Sequence, residues 1–109
     1  MSHKTANVIS EAIATVVLIF AIGSMVNSAL ITDQALPYLI GVLVWAIGLS
    51  LGGPTGNAMN PARDLAPRIA HWVLPIVGKG SSGWRYAWVP IAGPLLGAVL
   101  AAALRRVFF

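Results

Sequence analysis

Along this chain apolar positions do not alternate with polar ones; they run on for whole segments. Three tracts carry no charged side chain: Ala12 to Thr32 over 21 residues, Gln34 to Ala62 over 29, and Tyr86 to Leu104 over 19. A helix rises about 1.5 Å per residue and a bilayer's hydrocarbon core is about 30 Å thick, so each tract can cross it. The pattern predicts an all-α membrane protein with spans at about 7–31, 37–51 and 86–104. The first should end near Thr32-Asp33-Gln34. Pro37 suits the first turn of the second span, Gly52-Gly53-Pro54 ends it, and Arg105-Arg106 closes the third. The whole of 1–109 reads as one membrane domain.

The middle tract cannot be one helix, because Gly52, Gly53, Pro54 and Gly56 interrupt it. Uncharged, non-helical backbone at membrane depth is tolerated where protein buries it or where it lines a water-filled cavity. A helix start follows: Asn60 is a strong N-cap residue, Pro61 suits the first helical position, and Asp64 falls in the first turn beside the positive helix end. The segment therefore reads as a re-entrant loop followed by a half-helix over about 61–73. Pro75 to Gly83 carries turn chemistry and reads as a solvated loop.

Composition sharpens this picture. Hydrophobic residues make up 58% of the chain and charged ones 9%, far below the charged quarter of soluble domains. Three buried helices of a soluble bundle are the competing reading, but such helices normally carry a polar face. The start of the chain, with Lys4 before Glu11 and a long apolar tract after it, does not read as a cleaved signal. Without cysteine there is no disulfide, thiolate metal site or thiol nucleophile. The net charge of +4 comes from basic residues scattered beside apolar spans rather than gathered in a stripe, which argues against nucleic acid and for membrane flanks. His3 and His71, without carboxylates near them in sequence, do not suggest a metal site, and no cofactor is expected. Trp72, Trp84 and Trp88 suit an interfacial aromatic belt. Gly93, Gly97 and Ala101 recur every four residues, as do Gly48 and Gly52, the spacing that lets helices approach closely in lipid.

The string Gly53-Pro54-Thr55-Gly56, then Asn60-Pro61-Ala62-Arg63-Asp64, then Pro67-Arg68, resembles the second signature of the aquaporin and glycerol-facilitator family. The resemblance runs from about Asn7 to Leu104 and covers about half of the family's usual length, the carboxy-terminal half. It implies a passive channel, not an enzyme, and a lumen assembled from two inverted halves, each supplying one half-helix. A complementary amino-terminal half, or other channel subunits in a tetramer, would be the partner. The bilayer and small uncharged solutes, glycerol and water, complete the expected partners, and a bacterial inner membrane is the expected location. A non-conducting membrane fragment that packs against full-length channels is the alternative.

The same resemblance assigns roles to residues. Asn60 offers amide donors to a passing solute, and Arg63, three residues on, is the selectivity-filter cation; a fixed guanidinium also repels cations. Read from the residues alone, Asn60 could be a simple N-cap, and Arg63 could pair with Asp64 or snorkel. Gly56 and Ala58 would line the lumen with backbone. Glu11, the acid beside the first span, would hold that loop, with an interfacial glutamate near Lys4 as the plainer reading. Pro61 and Asp64 would support the half-helix. Gly48 stands where water-selective members narrow the filter with histidine, and Asn57 stands where the glycerol-conducting branch often presents an aromatic ring. Asp64, Arg68 and Pro90-Ile91 resemble that branch. Orientation is read in two ways. Lys4, Arg68, Lys79 and Arg85 on one side would place the Asn60 loop inside, whereas the resemblance places it outside with the carboxyl terminus in the cytoplasm.

Overall fold

A computed structural model describes residues 3–109. It contains four helices and, among these residues, no strand: α1 (His3–Val26), α2 (Leu36–Leu51), α3 (Pro61–Val73) and α4 (Val89–Phe108). Helices α1 and α4 are long and apolar enough to cross a membrane, whereas α2 is a shorter apolar helix.

The boundaries have local causes. Helix α1 stops at Val26 rather than near Ile31, where Ser28 Oγ and Thr32 Oγ1 accept the backbone N–H groups of Leu30 and Ala35. Such side-chain acceptors offer backbone a turn instead of a helix. Helix α4 begins at Val89 rather than Tyr86, because Tyr86, Ala87 and Val89 donate to Gly83, Trp84 and Tyr86 in successive tight turns. Pro90 then occupies the first turn, and the helix continues past Arg105 and Arg106 to Phe108. Pro94 lies within it without ending it. Helix α3 opens on Asn60, whose Oδ1 accepts the Ala62 N–H at 2.9 Å.

Packing centres on the seam between α1 and α4. A Cβ on Gly93 would meet Glu11 Cβ at 2.5 Å, and one on Gly97 would meet Ala12 O at 2.5 Å and Thr15 Cβ at 2.8 Å. Ala101 follows one turn later, fully buried. This small-residue stripe brings the helix backbones together, and van der Waals packing along it replaces the hydrophobic drive that lipid does not supply. The two helices run parallel. At one end Lys4 Nζ donates to Arg85 O and Asn7 Nδ2 to Tyr86 Oη; at the other Gly23 lies against Arg105. Helix α2 packs on α1, and α3 packs on α4.

The molecule is apolar on the outside. Trp45 and Leu49 of α2 are 68% and 74% exposed, while the carboxyl-bearing Glu11 is 1% exposed. A soluble bundle would show the reverse.

Candidate functional site

The site is built around Glu11, two turns into α1. Its buried Oε1 accepts the Ala58 N–H at 3.0 Å and its Oε2 the Met59 N–H at 2.8 Å. Thr15 Oγ1 donates back to Glu11 O at 2.8 Å, and Gly93 leaves the space in which the glutamate stem lies. A carboxylate buried without partners costs several kcal/mol, so these two charge-assisted bonds are what make the burial tolerable.

The consequence runs through planar peptides. In a trans peptide N–H and C=O point in opposite directions, and no peptide among the described residues is cis. Holding the N–H groups of Ala58 and Met59 toward α1 therefore turns the carbonyls of Asn57 and Ala58 away from it. On that far side Arg63 Nη1 donates to Asn57 O at 2.7 Å. One peptide unit thus links the buried carboxylate on α1 to the guanidinium on α3.

The loop is bent to allow this. Gly56, Asn57 and Met59 have φ of +74°, +46° and +52°. Asparagine tolerates that region; methionine does so at a cost of about 1–3 kcal/mol, which the Glu11 clamp offsets. Gly56 N donates to Gly52 O at 2.7 Å, closing the turn that leaves α2.

Each candidate residue has a definite place. Asn60 is exposed at the α3 start, its side-chain oxygen engaged with Ala62, and Arg63 is exposed beside it. Asn57 is buried, and its side-chain amide fills the space beside Gly48: a Cβ on Gly48 would meet Asn57 Nδ2 at 3.2 Å, and one on Gly52 would meet Oδ1 at 2.8 Å. Gly48, Asn57 and Arg63 are therefore brought together, with the Asn57 carbonyl against the arginine and the side chain against α2. Gly56 is exposed and Ala58 half-buried on the same loop, and Pro61 begins α3.

Asp64 does not pair with Arg63. It takes a bidentate bond from Arg68, Nε to Oδ2 at 2.9 Å and Nη2 to Oδ1 at 3.0 Å, with the side chains 20% and 12% exposed. Arg68 Nη1 also donates to the carbonyls of Ser82 and Gly83 at 2.6 and 2.8 Å, tying α3 to the loop before α4. His71 Nδ1 lies 2.8 Å from Ser82 Oγ. Lys79 Nζ donates to the carbonyls of His71, Trp72 and Leu74 at 2.8 to 3.0 Å, satisfying acceptors at the α3 end and complementing its negative pole. Sequence reasoning gave Arg68 no structural role, although its i,i+4 spacing from Asp64 is a readable signal. The Lys79 contact follows a chain reversal and has no such spacing. No cluster of three metal-ligating side chains occurs among the described residues.

Three relatives set this geometry in context. The chain is 51% identical over 104 residues to a probable glycerol uptake facilitator protein of Thermotoga maritima, covering 95% of the chain and 44% of that protein. It is 57% identical over 95 residues to the glycerol uptake facilitator protein of Bacillus subtilis, covering 87% and 34%. It is also 50% identical over 92 residues to the D/L-lactic acid transporter of Lactiplantibacillus plantarum, covering 84% and 39%. The chain thus spans less than half the length of these relatives. No solved structure matches it. The family model for the major intrinsic proteins matches residues 1–105. With the all-helical fold and the loop clamped on Glu11, that match makes this chain a member of the major intrinsic protein family of membrane channels.

Proposed function

We propose that this chain forms one half of the wall of a passive channel for glycerol and other small uncharged polyols, with water as a second permeant, in a bacterial inner membrane. The observation that carries the reading is the peptide held between Glu11 and Arg63. It sets a guanidinium with unused donors beside Asn60, and the next peptide, held to Glu11 by the Met59 N–H, turns the Ala58 carbonyl away from the supporting helix. Donors and acceptors along one wall replace the hydration shell of a hydroxylic solute, and the fixed cation repels cations. The glycerol uptake facilitators among its relatives support glycerol as the solute. The other wall is supplied by a complementary amino-terminal half, and four such pores assemble as a tetramer with the Asn60 loop facing outward.

Stopped-flow light scattering on vesicles tests this. Expressed with a complementary amino-terminal half, the chain should raise glycerol permeability well above that of empty vesicles, and alone it should not. Water flux without glycerol flux would reject the solute. Glycerol flux by the chain alone would instead reject the need for a second half.

A further inference from the structure

At the end of the seam opposite the Glu11 clamp lies a cavity of about 410 Å³ lined by Asn27, Ala102, Arg105, Arg106 and Phe109. Arg105 is drawn inward: its side chain crosses Gly23 so closely that a Cβ there would meet Nε at 2.7 Å. Its Nε is fully enclosed and has no hydrogen-bond partner, the one buried side-chain nitrogen or oxygen in that state among the described residues. No carboxylate among the described residues is within ion-pair distance of Arg105 or Arg106. Two cations and an amide thus border a cavity whose chemistry calls for an anion.

The same seam carries an apolar groove of about 590 Å³ between α1 and α4, ending at Val17 and Leu104. One turn beyond Val17 is Phe20, and one turn beyond Leu104 is Phe108. Their rings meet edge to face at 5.9 Å, and Phe20 also meets Phe109, which lines the basic cavity, at 5.4 Å. The groove therefore points along one helix pair toward an aromatic cluster, one ring of which, Phe109, borders the cavity of the arginines. An acyl chain beneath a phosphate has this order of chemistries. The depth fits as well, since Arg105 and Arg106 occupy the last turn of a helix long enough to cross a bilayer. Basic pockets between spanning helices at the membrane surface suit anionic headgroups.

We propose that the α1–α4 seam binds one anionic phospholipid, with an acyl chain in the groove and the phosphate between Arg105 and Arg106. The guanidinium fork of Arg105 takes two phosphate oxygens, with Nε–H among its donors after a small rotation toward the cavity. Arg106 adds charge and Asn27 a further donor. The site is independent of which solute the channel conducts.

Native mass spectrometry of the chain, expressed with its complementary half and released from detergent, tests the proposal with phosphatidylglycerol and phosphatidylcholine of identical acyl chains. Phosphatidylglycerol should bind more tightly. Arg105→Gln should weaken its binding about tenfold, the scale of a lost charge-assisted pair, and leave phosphatidylcholine binding unchanged. Arg85→Gln, the same charge change at the other end of the seam, should have no effect. Should Arg105→Gln fail to fold, Asn27→Asp, which adds a carboxylate at the rim of the same cavity, should produce the loss instead. Equal binding of the two lipids, or equal losses in the Arg85 and Arg105 variants, would overturn the proposal. Displacement by millimolar inorganic phosphate would reassign the cavity to a free anion. Selectivity seen in the isolated chain but lost when the complementary half is present would show that protein, not lipid, covers it.

Discussion

The two ends of the α1–α4 seam solve the same steric problem with opposite electrostatic outcomes. At one end Gly93 makes room for Glu11, and both carboxylate oxygens receive backbone N–H groups. At the other Gly23 makes room for Arg105, and its enclosed Nε receives nothing. A buried charge with all its bonds made acts as a fastener, because removing it strands the donors it had satisfied. A half-buried cation whose one enclosed donor makes no bond holds nothing in place through that donor. The first end should therefore be intolerant of change and the second forgiving.

The largest effect is expected from Glu11→Ala. It leaves the N–H groups of Ala58 and Met59 without acceptors in a loop that already holds Met59 at positive φ. At about 1–3 kcal/mol for each stranded donor, the loop should relax rather than stay bent. Hydrogen exchange of these two amides should accelerate by about 100-fold or more, on the scale at which about 1.4 kcal/mol is tenfold. The Arg63 contact to Asn57 O should loosen with it. Protection equal to the parent's would mean that the bend is intrinsic to the loop and that Glu11 is not its fastener.

Gly93→Ala should come next. The added methyl meets Glu11 Cβ at 2.5 Å and Val8 O at 3.0 Å, a side-chain root and a backbone atom, neither of which can swing aside. Overpacking of this kind costs about 1–3 kcal/mol, against which alanine's better helix propensity returns about 1. Thermal unfolding in detergent micelles, followed by circular dichroism, should show a net loss of about 1 kcal/mol or more. An unchanged midpoint would show that the helices can separate here without penalty.

Which parts of this contrast were legible in the sequence follows from the range of the forces involved. The all-helical membrane architecture could be read because long uncharged tracts have one economical solution in lipid. The start of α3 could be read because Asn60 and Pro61 act on their own neighbours. Gly93, Gly97 and Ala101 announced a close-packed face by spacing, though not that α1 would meet it. The role of Glu11 came from the resemblance, since its loop partners lie 47 and 48 residues away. Asn57 showed the limit most clearly: the string predicts where it stands on the loop, but the direction of its side chain depends on the bare backbone of Gly48 and Gly52. The α1 stop, the Lys79 contact with the α3 carbonyls and the unpaired Arg105 depended on turns and long-range packing that no periodicity encodes.

Gly23→Ala should have the smallest effect and is the most direct probe of the difference between the two ends. By distance alone it looks as severe as Gly93→Ala, because its methyl would lie 2.7 Å from Arg105 Nε and 3.1 Å from Cδ and Cζ. These atoms, however, belong to the outer part of a flexible side chain with no hydrogen bond at Nε to lose, and the adjoining cavity offers it room. The arginine should rotate outward, and the gain in helix propensity of about 1 kcal/mol should offset the displacement. The unfolding midpoint in micelles should therefore stay within about 0.5 kcal/mol of the parent's, the range of ordinary neutral substitutions. A loss as large as that of Gly93→Ala would mean that Arg105 is held as firmly as Glu11, and that the two ends differ in charge alone.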